Sequence, residues 1–171
     1  SSVVAPAGPS PLLRDYAAQL DCAARMLKNE AGTAFPWTSG FSHAPTMQWH
    51  ESIEAERAYV LLWIAAEHAQ SASCESRSTS ESLKRAANEF QLAAGCLAHM
   101  TTLPLPAPLQ DQVPCLRPLM LAQAQECFWQ KAVQDALKDT TIAKLAQGVS
   151  TLYADSVALA PRAALPPDWL E

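Results

Sequence analysis

The sequence has no CxxC pair, no glycine-rich phosphate loop, no dense run of Lys or Arg and no long apolar stretch, and each absence excludes a class of function. Its five cysteines (Cys22, Cys74, Cys96, Cys115, Cys127) are scattered and odd in number, which argues against a secreted disulfide framework and for a reducing, cytosolic compartment. They read as small buried apolar groups. Twelve basic against 17 acidic residues leave a net charge of −5, without the electrostatic footprint of a nucleic-acid binder. The longest apolar run, AYVLLWIAA at 58–66, falls far short of the roughly 18 residues that cross a bilayer. The first residues, SSVVAPAGPSP, lack a basic region followed by an apolar one, so no secretory signal is expected. Any meeting with a membrane is expected to run through partners.

What is present is helical periodicity. A chain of 171 residues, 49% of them hydrophobic, is long enough for one compact domain with a real core. Five segments carry the pattern. The first opens with Ser10 as N-cap and Pro11 at the first helical position, followed by Leu13, Tyr16, Ala17, Leu20, Ala24 and Leu27 on one face. Residues 30–46 hold Gly32, Pro36, Gly40 and Pro45 and predict an irregular crossing anchored by Phe35, Trp37 and Phe41. A second helix is predicted from about Met47 to Ala72, apolar on every side in its middle and therefore central.

A Ser-rich turn follows, in which Ser78 and Glu81 suggest a capping box for a third helix striped by Leu83, Ala86, Ala87, Phe90, Ala94 and Leu97. Gly95 inside it predicts a close helix crossing. Residues 101–118 contain five prolines and read as a connector. The fourth segment, 118–137, has Leu121, Ala124, Phe128 and Ala132 on one apolar face and Trp129, Val133 and Leu137 on another. The fifth starts with Asp139 as N-cap and carries Ile142, Leu145, Val149, Leu152 and Leu159 to Pro161. No strand-period segment competes. The expectation is an all-α fold of about five helices in antiparallel hairpins, stacked as a bundle or a solenoid, over residues 10–160. Residues 1–9 are expected to be a disordered tail and 161–171 a trailing linker.

Little in the chain points to chemistry. His50, Glu51 and Glu54 look like half of a zinc-protease helix, but position 54 is Glu where a second His is needed, and a solvated helix start is the expected reading. Gly40-Phe41-Ser42-His43-Ala44 matches a nucleophile elbow at two positions only and lacks the strand-turn-helix setting. His68 and His99 read as hydrogen-bonded histidines at helix interfaces. Glu54 and Glu56 are two residues apart and point to different faces of a helix. No catalytic residue, metal site or cofactor site is expected, and the chain is expected not to be an enzyme.

One stretch is specific. LMLAQAQECFWQKAVQDALKDTTIAKLAQGVSTLYADSV, residues 119–157, closely resembles the signature of the Bro-one (BRO) domain of Alix-like and PalA-like proteins. EAERAYVLLWIAAEHAQSA at 54–72 is similar to that family's long central helix, and LKRAANEFQLAAGCLAHM at 83–100 to the helix with its AAG step. The FPW of residues 35–37 and the PPDW of 166–169 have family counterparts in the same order. Trp63 departs from the family, which often has Asn there. The resemblance covers the middle of a longer domain, so that an N-terminal part with a small β-sheet and several C-terminal helices would lie outside this chain.

The resemblance implies a tetratricopeptide-like solenoid that receives the amphipathic C-terminal helix of an ESCRT-III subunit, as helix-in-groove recognition. It implies an adaptor in endosomal (multivesicular body) sorting or PalA-like pH signalling, cytoplasmic and peripheral at endosomes. The family's apolar contact positions fall on Phe128, Thr141 and Leu145, and a basic one on Lys84, whose acidic companion position is Ser80 here. Thr141 replaces a larger aliphatic group, which would weaken a buried anchor by about 1 to 3 kcal/mol. Phe128 and Leu145 also lie on core stripes. With the resemblance, partner contact is the expected role of these two, while for Thr141 and Lys84 contact and plain surface both stay open. The other reading is a structural or assembly subunit that kept the fold without ESCRT-III binding. Solenoid ends without caps would also favour self-association.

Overall fold

In the computed structural model, residues 8–26, 34–38, 41 and 47–163 are described. They form α1 (Pro11–Met26), β1 (Phe35–Trp37), β2 (Gln48–His50), α2 (Ile53–Cys74), α3 (Ser80–Met100), α4 (Ala107–Gln134) and α5 (Asp139–Leu159). Each helix packs against the next one in the chain, α1 on α2, α2 on α3, α3 on α4 and α4 on α5. Short connections between long helices make successive pairs antiparallel, which is the stacked-hairpin architecture expected.

The described strands are short. β1 and β2 pair antiparallel, with Phe35 opposite His50, Pro36 opposite Trp49 and Trp37 opposite Gln48. This corrects the expectation that no strand occurs here. It also moves the start of the central helix from Met47 to Ile53. Three residues per strand are too few for a period of two to stand out.

Local chemistry explains the helix ends. Ser52 caps α2, its hydroxyl accepting from the backbone N–H of Glu54 at 3.2 Å. The capping box of α3 uses Thr79 and Ser82, one residue on from the predicted Ser78 and Glu81. The Thr79 hydroxyl accepts from the Ser82 N–H at 3.1 Å and the Thr79 N–H donates to the Ser82 hydroxyl at 3.2 Å. Glu81 turns instead to Lys84.

Asp139 is the first residue of α5, and Lys138 caps it without a side-chain bond. The largest correction concerns α4, which begins eleven residues before Pro118 and contains Pro114 and Pro118 within it. Pro108 sits in the first turn, where its missing N–H costs nothing. Pro114 and Pro118 each remove a ladder bond, but Val113, Cys115, Leu116 and Met120 around them are buried, and that burial outweighs local propensity.

The core runs through the array. The middle of α2 is covered on all sides: Ala58, Tyr59, Val60, Leu62, Ile64, Ala65 and Ala66 are buried. One side meets Leu20 of α1 through Val60 and Ile64. The other side joins the main core, in which Leu62, Leu83, Phe90, Leu97, Leu109 and Leu116 are almost wholly buried. Each such side chain stabilises the fold by about 1.5 to 3 kcal/mol.

One carboxylate is buried with them. Glu56 is 3% exposed and accepts from the Tyr16 hydroxyl of α1 at 2.5 Å and from the indole N–H of Trp37 in β1. Burial first, and the Glu56 carboxylate second, push the Tyr16 hydroxyl up to about 12, so it remains a donor. Trp37 stacks on Tyr59 with ring centroids 6.4 Å apart. A carboxylate at this position therefore fastens α1 and the hairpin to α2.

Gly95 does not mark a close crossing. It is exposed in the C-terminal half of α3, and a Cβ there would meet nothing within 4 Å. Gly95→Ala is accordingly expected to stabilise the protein by about 0.5 to 1 kcal/mol, read as a higher urea midpoint with an unchanged slope. A lower midpoint would show that the position needs glycine.

Candidate protein-binding surface

α4 and α5 form the last hairpin of the described array. Their register is readable from two contacts. The Cys115 carbonyl accepts from the Ser156 hydroxyl at 3.0 Å, and a Cβ on Gly148 would lie 3.5 Å from the Gln125 side chain. Stepping three residues along each antiparallel helix from Gln125 and Gly148 places Phe128 and Leu145 at the same level, with Thr141 about one turn further toward the hairpin tip.

Phe128 is half-buried and packs on the main core. Leu145 is half-buried and Thr141 exposed. Lys84 is exposed on α3, its ammonium 3.4 Å from Glu81, and the structure gives it no contact with the other three.

The described part of α5 is only lightly covered. Ser156 is its single buried residue, while Ile142, Leu145, Val149 and Leu152 are half-buried against α4 and Val157 is 68% exposed. Val133 and Leu137, on the second apolar face of the fourth segment, are also exposed, at 47% and 45%. Val133 is seven residues from Glu126 and about 140° round α4 from Phe128, so it belongs to the other flank of the helix. Ala136, between Val133 and Leu137, has a φ of 50°, the left-handed conformation in which helices commonly end.

The other candidates separate cleanly. His50 ends β2 and is not on a helix; its ring stacks on Tyr59 at 4.3 Å. Glu54 forms an ion pair with Arg57 at 2.7 Å, and Glu51 is exposed. Among the described residues no group of three His, Cys, Asp or Glu side chains is placed to hold a metal ion. Gly40, Ser42, His43 and Ala44 lie outside the described residues.

His68 is hydrogen-bonded across the α2–α3 interface to Glu89 at 2.7 Å. His99 is exposed in the last turn of α3, so it is a helix-end base and not an interface group. Of the cysteines, Cys115 and Cys127 are buried and Cys96 is half-buried, but Cys22 and Cys74 are exposed because they fall on the outer faces of α1 and α2. Among the described residues no helix is long and apolar enough to cross a membrane.

Half-buried aliphatic and aromatic groups thus line the flank of the hairpin that holds Phe128 and Leu145. The BRO1-like domain profile matches residues 5–171. The chain belongs to the BRO1-like domain family. The pH-response regulator protein palA/RIM20 of Emericella nidulans is 41% identical over 167 residues, which cover 91% of this chain and 20% of that protein. The vacuolar protein-sorting protein bro-1 of Neurospora crassa is 35% identical over 128 residues, 72% of this chain and 12% of that protein.

The chain thus spans a fifth or less of the length of these curated relatives. Among solved structures, an ALIX BRO1 CHMP4C complex superposes with a TM-score of 0.79 at 26% identity, covering 97% of this chain and 53% of that one. This BRO1-like chain therefore matches part of the length of these longer proteins.

His50 generates a pH prediction. Its Nε2 is buried without a hydrogen-bond partner, and burial lowers its pKa below 6.5 despite the opposing attraction of Glu56. The unfolded chain then binds the proton more readily than the folded one. Stability from this group is full above pH 6.5 and falls as pH drops below it toward the lowered folded value. The thermal midpoint of the wild type should fall over that window more steeply than that of His50→Phe; equal slopes would show that His50 is not the group concerned.

Proposed function

We propose that this BRO1-like chain is part of a non-enzymatic adaptor that binds the amphipathic C-terminal helix of an ESCRT-III subunit through the surface built on Phe128 and Leu145. The observation that carries the reading is their placement: one aromatic and one aliphatic side chain, both half-buried, at the same level of an antiparallel hairpin. An apolar face of a helix can set anchors against such a surface, as in helix-in-groove recognition. The likeness to the ALIX structure in complex with CHMP4C supports the class of partner.

Residue by residue, Phe128 and Leu145 supply the apolar anchors, Thr141 a weaker one, and Lys84 a cation for an acid on the partner. The names of the relatives, a pH-response regulator and a vacuolar protein-sorting protein, support two settings, fungal pH signalling and endosomal sorting. The proposed place is the cytoplasm, at the surface of endosomes, with the membrane reached through partners. Residues 10–160 are read as the helical core of a partial BRO domain.

A second reading has its own observation. The outer side of α5 is uncovered, and Thr141 offers less apolar surface than a larger aliphatic group would, which suits a structural subunit whose α5 is covered by another chain. Self-association through that face is the simplest form of it.

Fluorescent peptides from ESCRT-III C-terminal helices decide between them. Saturable binding in about the micromolar range is expected, lost at least about tenfold in Phe128→Asp and Leu145→Asp proteins that remain helical by circular dichroism. No binding to a folded wild-type chain overturns the adaptor reading in favour of the structural one.

A further inference from the structure

Glu126 stands where three elements meet. Its Oε1 accepts from the Arg77 guanidinium at 3.3 Å and from the Gln130 amide at 3.0 Å. Its Oε2 accepts from the Tyr153 hydroxyl of α5 at 2.8 Å. The Gln134 amide donates to the Arg77 carbonyl at 3.0 Å, so the turn between α2 and α3 is tied to α4 twice. Burial and the Glu126 carboxylate push the Tyr153 hydroxyl up to about 12, and it stays a donor at neutral pH.

We propose that Glu126 and Tyr153 are positioning residues for the surface of Phe128 and Leu145: their hydrogen bond sets the roll of α5 on α4 and thereby the separation of the two anchors. The proposal rests on the binding role assigned above. Two residues apart on a helix, Glu126 and Phe128 point about 160° away from each other, so the clamp acts from the far flank of α4 and does not touch a peptide on the near one.

Apolar burial of α5 is partial: Ser156 is its only buried residue, and Ile142, Leu145, Val149 and Leu152 are half-buried. Its side-chain hydrogen bonds to α4 are those of Tyr153 and Ser156, both in its C-terminal half. Ser156 sits near the helix axis contact and resists separation, whereas Tyr153 reaches sideways to Glu126 and resists rotation. Rotation moves Leu145, roughly 12 Å along the axis, across the face of Phe128.

The test uses the whole chain labelled with fluorophenylalanine, which gives four ¹⁹F resonances because the sequence holds four Phe. Phe128→Leu assigns one of them. Glu126→Ala is expected to shift the Phe128 resonance and weaken peptide binding by about fivefold, with the resonance of the core residue Phe90 unmoved. Glu126→Gln, which keeps an acceptor for Tyr153, should restore both readouts, and Tyr153→Phe should weaken binding as Glu126→Ala does.

A Phe128 resonance unmoved by Glu126→Ala overturns the proposal. So does a shift of Phe90 along with Phe128 and a lowered unfolding midpoint, which marks general damage to the fold. If the wild type binds no peptide, the binding role fails, and the Phe128 and Phe90 resonances alone decide whether the clamp positions the hairpin.

Discussion

The structure depends on α4 being covered on two sides at once. Leu109, Val113, Leu116, Met120, Ala124 and Cys127 belong to the main core that α4 shares with α3. Cys115 and the level of Gln125 meet α5 on the other side. A helix of 28 residues with two internal prolines would be poor on propensity alone. Burial from both sides holds it, and Phe128 lies half-buried against the main core. Remove either cover and α4 has no reason to continue through Pro114, and the surface that depends on its C-terminal half loses its base.

Two buried or half-buried glutamates play parallel parts at opposite ends of the array. Glu56 gathers Tyr16 and Trp37, fastening α1 and the β hairpin onto α2. Glu126 gathers Arg77, Gln130 and Tyr153, fastening the α2–α3 turn and α5 onto α4. In each case a carboxylate on a well-packed helix accepts from donors on neighbouring elements. Such a bond is directional where apolar packing is not, and a charged acceptor makes it strong. Orientation of the peripheral elements is therefore assigned to single residues, which makes it sensitive to single substitutions.

The central helices are legible in the residues themselves, because the all-apolar run at 58–66 and the stripe from Leu83 to Leu97 are long enough to carry a period. The resemblance of residues 119–157 to the BRO family identifies the family from the sequence, in agreement with the profile match. The early start of α4 is not legible, since prolines read locally are breakers, and only the burial of Val113, Cys115 and Leu116 shows what overrides them. The β hairpin escapes because its strands are three residues long. The Glu126 clamp escapes for another reason: Tyr153 lies 27 residues away, and no spacing rule pairs residues across a hairpin of that length. Phe128 and Leu145 fall on apolar stripes in the sequence, and their half-burial at one level of the hairpin is visible only in three dimensions.

The central claim is that recognition occurs along the flank of the last hairpin, and amide chemical-shift mapping tests it most directly. The ¹⁵N-labelled chain would be titrated with an unlabelled ESCRT-III C-terminal helix while every resonance is followed. Perturbations concentrated in residues 121–133 and 141–149, with those of α1 and the β hairpin unmoved, are the predicted result. Perturbations centred on α1 and α2, with α4 and α5 unmoved at saturation, would contradict the account.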